Sequence, residues 1–232
     1  MKSDGLMGWL SRLIFAVCVL AAPGMAVAQA AEYFAPASGK GPAVVLVSGA
    51  TGTSLYQDYG RAIASLGYVA VLVNGADIYK QPGDGPEKFL ALLASVRTDP
   101  RVLAGKVGVV GFSLGGSAVL VNAIDRPDDI AAVVAYYPGA SRLPSISAAA
   151  RRVAVPTLLI AGEMDRFNDC CLIGSIREYE AVARANGAAI TLVSYKDANH
   201  GFNLRGPTFR ADDAADAWAK TRDFLSAHLP LR

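Results

Sequence analysis

Gly111-Phe112-Ser113-Leu114-Gly115 fits the pattern G-x-S-x-G, between the β-branched run Lys106–Gly111 and an apolar stretch that opens at Leu114. A serine so placed sits on a sharp strand-to-helix turn with its hydroxyl exposed, and the glycines keep side chains out of the tight backbone. The helix start behind it has N–H groups without partners and a partial positive charge. The N–H of Leu114 is therefore a candidate donor to an oxygen that gains charge when Ser113 attacks a carbonyl. Such a serine needs a base, and histidine is the usual one at neutral pH. Of two histidines, His228 lies near the C-terminus and reads as a surface residue. His200, in Asp197-Ala198-Asn199-His200-Gly201-Phe202, follows an expected strand, Ala189–Ser194. Loops at the carboxyl ends of strands are where α/β sheets hold their sites. The expected chain order is serine, acid, histidine. Gly162-Glu163-Met164-Asp165 follows the strand Thr157–Ala161 and supplies the acid: Asp165 is preferred, with Glu163 the alternative. The second oxyanion donor is expected in Ser48-Gly49-Ala50-Thr51-Gly52, at Ala50 or, failing that, Thr51.

Those residues need a scaffold that brings strand ends together. Short apolar runs at Ala43–Val47, Tyr68–Val73, Lys106–Gly111, Ile130–Tyr136, Thr157–Ala161 and Ala189–Ser194 read as parallel strands buried on both faces. Helices are expected at Gln57–Leu66, Pro86–Arg97, Leu114–Ile124, Ser175–Ala185 and about Arg210–Leu225. Ala214, Ala217, Trp218, Thr221 and Leu225 share one face of the last. Alternation of strand and helix defines a doubly wound α/β sheet, mostly parallel, with helices on both faces. Residues 29–42 and Leu143–Ala154 read as irregular, and no large lid is expected.

The chain has 232 residues, 53% apolar and 18% charged, with a formal charge of +2. Disorder is excluded, and the charge gives no basic field for nucleic acid. Lys2 and Arg12, the apolar run Leu13–Ala22 and the small-residue site Ala26-Val27-Ala28 form the order of a secretory signal, with cleavage expected after Ala28. Residues 29–232 would then be one exported domain, periplasmic or extracellular, with no stable membrane association. Cys18 leaves with the signal, and Cys170 and Cys171 remain. Adjacent Cα atoms lie about 3.8 Å apart, under the usual disulfide span, so two buried thiols are favoured over a strained vicinal bond.

Gly49-Ala50-Thr51-Gly52 also suits the start of a dinucleotide loop, which would make the chain a nicotinamide-dependent reductase. Against that, Leu55 stands where a third glycine belongs, Asn74 ends the second strand, and no Tyr-x-x-x-Lys pair occurs.

Gly111 to Gly116, Asp165 and Asn199-His200-Gly201-Phe202 together resemble the dienelactone hydrolase family of α/β hydrolases, from about Ala43 to the last helix. Asp77-Ile78-Tyr79 is similar to the family's Asp-Leu-Tyr. The founding members carry a cysteine nucleophile and a glutamate in the oxyanion loop, where this chain has Ser113 and Gly49 or Ala50. The resemblance to serine-bearing relatives implies hydrolysis of a small carboxylic ester or lactone through an acyl-enzyme, with no cofactor and no metal. It also implies substrate contacts from loop residues, for which Thr51, Tyr79, Lys80 and Arg205 are candidates, with Arg205 suited to a substrate carboxylate. Cys170 and Cys171 are expected to wall the pocket. An exported peptidase or a polyester hydrolase with the same triad is the alternative.

Overall fold

The computed structural model describes residues 31–79 and 85–231. The expected signal and Lys80 lie outside the described residues. Among the described residues seven strands form one sheet: β1 Glu32–Phe34, β2 Ala43–Val47, β3 Val69–Val73, β4 Val107–Phe112, β5 Ile130–Tyr136, β6 Thr157–Gly162 and β7 Ile190–Tyr195. Their order is β1-β3-β2-β4-β5-β6-β7, parallel throughout except for β1, which runs antiparallel to β3. The six expected strands all form, with ends shifted by at most one residue.

The helices are α1 Gln57–Ser65, α2 Gly75–Ile78, α3 Pro86–Thr98, α4 Leu114–Asn122, α5 Ile146–Ala150, α6 Ile173–Ala185 and α7 Ala211–His228. Alternate strand residues point to opposite faces and build two cores. Val45, Val47, Val71 and Val109 pack with Phe89 and Leu93 of α3, Val119 of α4 and Ile176 of α6. Val44, Leu46, Leu72 and Val110 pack on the other face with Ile63 of α1 and with Ala217 and Leu225 of α7. Pro86 occupies the first turn of α3, where its missing N–H costs nothing.

Three segments depart from the sequence reading. Residues 29–42, expected to be irregular, contain β1. Asn74 caps α2 by accepting from the Ala76 N–H, and Ser145 caps α5 by accepting from the Ala148 N–H. Each of these elements is too short to show a period, and α2 and α5 are held by one capping side chain. The last helix also runs beyond Leu225, and His228 is its final residue, with its ring 4.5 Å from that of Phe224.

The chain steps from β2 to β3 on one side, then crosses back to β4 on the other. A crevice opens at such a reversal, at the carboxyl ends of the strands. Here α4 starts against the end of β2. A Cβ on Gly115 would lie 2.1 Å from the Val47 carbonyl oxygen, and one on Gly75 would lie 2.1 Å from that of Ser48. The Ser48 hydroxyl accepts from the Gly75 N–H at 3.1 Å, tying α2 to the same point. Gly115→Ala should therefore destabilise the protein by about 3 kcal/mol, because rigid backbone must move. Gly174→Ala on α6, where nothing lies within 4 Å of the new methyl, should be neutral or stabilising by up to about 1 kcal/mol. Urea unfolding midpoints of the two variants check this.

Candidate active site

Ser113 occupies the turn between β4 and α4 with φ 53° and ψ −113°, a backbone state that L-residues rarely adopt. Two contacts enforce it. The Ser113 N–H donates to the Tyr136 carbonyl on β5 at 3.0 Å. A Cβ on Gly111 would fall 2.3 Å from the Gly115 carbonyl oxygen, so the chain can fold this sharply only with glycine there. The loop after β2 closes on the same spot: a Cβ on Gly49 would lie 3.4 Å from that of Ser113 and 2.6 Å from the Tyr56 hydroxyl. Neither the Ala50 N–H nor the Leu114 N–H donates to another group among the described residues. Both expected oxyanion donors thus keep their hydrogen-bonding capacity beside the serine.

His200 stands in the loop after β7, with Nε2 2.9 Å from the Ser113 hydroxyl oxygen and Nδ1 2.7 Å from Asp165 Oδ2. Asp165 is fully buried in the turn after β6, and its other carboxylate oxygen accepts the Phe167 N–H at 3.0 Å. An ionised carboxylate only accepts, so Nδ1 keeps its proton and donates it in a hydrogen bond to Asp165. In the neutral ring, Nε2 then carries a lone pair toward the serine hydroxyl. Glu163, the alternative acid, is used elsewhere: it accepts from Arg177 of α6 at 2.6 Å and from the Ser194 hydroxyl of β7 at 2.8 Å.

Two aromatic rings enclose His200. Phe167 stacks on it at 4.5 Å and 11°, and the buried Tyr137 lies on it at 4.6 Å and 60°. Phe167 is 52% exposed, so one face of the imidazole is covered by a ring that itself meets solvent. Neither ring was singled out from the sequence. Their only signals are position, Tyr137 just after β5 and Phe167 two residues past Asp165.

The other sequence candidates divide. Thr51 is exposed on the Gly49–Gly52 turn, within hydrogen-bonding reach of the Tyr56 hydroxyl. Arg205 lines an open groove of about 740 Å³ together with Leu55, Tyr59, Asn203 and Phe209. Tyr79 is buried and lines a cavity with Val121, Leu143 and Ala149, and neither this cavity nor the groove beside Arg205 is lined by Ser113, Asp165 or His200. Val121 lies seven residues along α4 from Leu114, about 10 Å at the helical rise. The cysteines are a correction. Cys170 and Cys171 are joined by a disulfide rather than standing as thiols, and both are buried. The two residues are neighbours in sequence, with Cα atoms 3.8 Å apart, and the bond closes across that single peptide.

Sheet order, helices on both faces and a serine at the elbow after β4 define an α/β-hydrolase fold. The model of the dienelactone hydrolase family matches residues 84–229. The chain belongs to the dienelactone hydrolase family. Among curated proteins, cutinase est1 of Thermobifida alba is 30% identical over 130 residues, which are 53% of this chain and 42% of that protein. The match thus spans less than half of that relative. Among solved structures, a Klebsiella pneumoniae protein assigned to the dienelactone hydrolases superposes with a TM-score of 0.71 at 22% identity, over 84% of this chain and 92% of that one. The acylaminoacyl peptidase of Pyrococcus horikoshii superposes with a TM-score of 0.70 at 18% identity, over 86% of this chain and 39% of that one. At these identities the superpositions speak for the fold alone.

The tyrosines packed under the site carry a pH dependence. Burial pushes the Tyr59 phenol up to about 12, against a smaller opposing effect of the Asn203 amide, which donates to it at 2.7 Å. Burial also pushes Tyr136 and Tyr137 well above the ordinary phenol range. The unfolded chain releases these protons first, near pH 10, while the folded chain keeps them. Their contribution is therefore complete below about pH 10 and falls as the pH rises through the folded values. Tyr59 alone should remove about 2 kcal/mol of stability by about pH 12, read from urea midpoints measured between about pH 9 and pH 12.

Proposed function

We propose that this protein is a serine hydrolase that cleaves a small carboxylic ester or lactone through an acyl-enzyme. The observation that carries the reading is the row of hydrogen bonds from Ser113 through His200 to the buried Asp165, at a serine held in an elbow. Ser113 attacks the carbonyl carbon while His200 Nε2 takes its proton. The N–H groups of Leu114 and Ala50 receive the oxyanion, a contribution of several kcal/mol where two such donors are preorganised. His200 then protonates the leaving alcohol and activates water to release the acid. Asp165 stays ionised, fixes the ring tautomer and balances the imidazolium. Membership of the dienelactone hydrolase family and the partial match to cutinases support ester chemistry.

Polyester cleavage is the second reading. It is favoured by the cutinase relatives and by the open groove flanked by Leu55 and Phe209, which are 49% and 46% exposed. Thr51 and Arg205 are proposed as contacts for the part of the substrate that leaves the elbow. Residues 1–28 are proposed as a secretory signal and 29–232 as the exported hydrolase domain. Among the described residues no helix is long and apolar enough to cross a membrane.

Ser113→Ala should lower turnover of p-nitrophenyl acetate by about 10⁴-fold or more with an unchanged circular dichroism spectrum. A fluorophosphonate probe should label the parent chain and not the variant. Unchanged turnover in the variant overturns the assignment, and a panel of lactones, linear esters, a polyester film and peptide amides orders the substrates.

A further inference from the structure

The Cys170–Cys171 bond lies beside the histidine. Both sulfur atoms and a ring nitrogen of His200 fall within 4.8 Å of one another. The segment that brings them there is fixed at several points. Phe167 stacks on His200, the Cys170 N–H donates to the Phe167 carbonyl at 3.0 Å, and the Cys170 carbonyl accepts the Ser141 N–H at 3.1 Å. The left-handed backbone at Asn168 and Asp169 folds the segment back onto itself. Nothing in the proposed hydrolysis uses either sulfur.

We propose that reduction of this bond creates a site for a thiophilic divalent cation, with zinc as the test ion, on the two thiolates and His200 Nε2, and that occupation of it switches off the hydrolase. The switching half rests on His200 being the base of the proposed reaction; the binding half does not. Two cysteines and one histidine are a soft donor set suited to zinc and unsuited to magnesium or calcium. Around a tetrahedral zinc, neighbouring ligand atoms lie about 3.5–3.8 Å apart, so the ring nitrogen and the sulfurs, within 4.8 Å of one another, need to close by at most about 1 Å. The two sulfurs, about 2 Å apart while bonded, must spread by about 1.7 Å once the bond is cut. The second shell is also in place. Asp165 holds Nδ1, which directs the lone pair of the ring to Nε2, and a carboxylate behind a metal-bound histidine strengthens that ligand. Three protein ligands leave one position for water or the Ser113 hydroxyl. Zinc on Nε2 takes the lone pair that would accept the serine proton, so binding and hydrolysis exclude each other.

The chemistry balances with a phosphine as reductant. Phosphorus gives two electrons to the sulfur–sulfur bond and takes the oxygen of one water. The two protons of that water end on Cys170 and Cys171, and phosphine oxide leaves. Zinc then displaces both thiol protons as the two sulfur–metal bonds form.

The test uses the intact protein, oxidised or treated with tris(2-carboxyethyl)phosphine, with reduction scored by thiol alkylation and mass. The reduced chain is expected to bind one zinc by equilibrium dialysis, and the oxidised chain none at the same concentration. Cys170→Ser and His200→Gln should each weaken binding by about tenfold or more, with folding checked by circular dichroism. If either variant fails to fold, the cadmium–thiolate charge-transfer band of the reduced parent chain reports the same ligands. Zinc should slow p-nitrophenyl acetate hydrolysis by the reduced chain by about tenfold or more, with recovery on adding EDTA, and should leave the oxidised chain unaffected. Reduced Ser113→Ala should still bind zinc, so an inactive parent chain that binds zinc overturns the hydrolase reading and leaves the site standing. A disulfide that survives the phosphine, equal zinc binding in both redox states, or zinc binding without inhibition of an active reduced chain each overturns the proposal.

Discussion

No side chain fits between the first turn of α4 and the end of β2. A Cβ on Gly115 would meet two carbonyl oxygens, of Val47 and Ser48, at 2.1 and 2.5 Å. That backbone-to-backbone contact sets how far α4 reaches over the sheet, and so where its free N–H groups lie. It also draws the Ser48–Gly52 loop and the start of α2 to the same point, through the Ser48 hydroxyl and the absence of a side chain at Gly75. Interiors are close-packed and do not deform smoothly, so the position of Ser113 follows from this contact. The serine's unusual backbone angles are then held by neighbours on three strands.

Much of this arrangement is legible in the sequence, because its causes are local. Glycines at 111 and 115 and an apolar run before them state a strand–turn–helix. The order Ser113, Asp165, His200 places each residue after its own strand, which the parallel sheet then brings to one edge. What stays hidden depends on contacts between distant segments. Nothing in the sequence around Tyr137 or Phe167 says that their rings enclose His200. Nor does the tripeptide Asp77-Ile78-Tyr79 show that Asn74 caps a short helix ending at Ile78 and that the Tyr79 ring is buried. The disulfide is hidden because adjacency counts against such a bond, whereas the left-handed pair Asn168 and Asp169 is at least compatible with its residue types, which adopt positive φ more readily than others.

The turn after β6 separates two carboxylates that stand only two residues apart. Asp165 goes inward to His200, while Glu163 is tied outward to Arg177 and Ser194. A second free carboxylate near the imidazole would compete for its Nδ1 proton and blur the tautomer. The ion pair with α6 removes that competition and anchors the helix next to the loop that carries Phe167. Rigid placement of the acid is thus shared between a strand, a helix and one aromatic stack.

The small strand β1 has a consequence for assembly of the sheet. β3 is apolar over its whole length and buried along all of it, whereas the opposite edge, β7, is partly open and polar in places. Without β1, one side of β3 would present unpaired N–H and carbonyl groups on a greasy ribbon, a template for pairing with a second chain. Three residues, Glu32 to Phe34, cover it in antiparallel register, and Phe34 fills the space over Gly60 on α1. The first piece of the described chain to leave the ribosome therefore docks on a strand made later. Until it does, the molecule carries an adhesive margin, which makes this short segment a guard against self-association during folding.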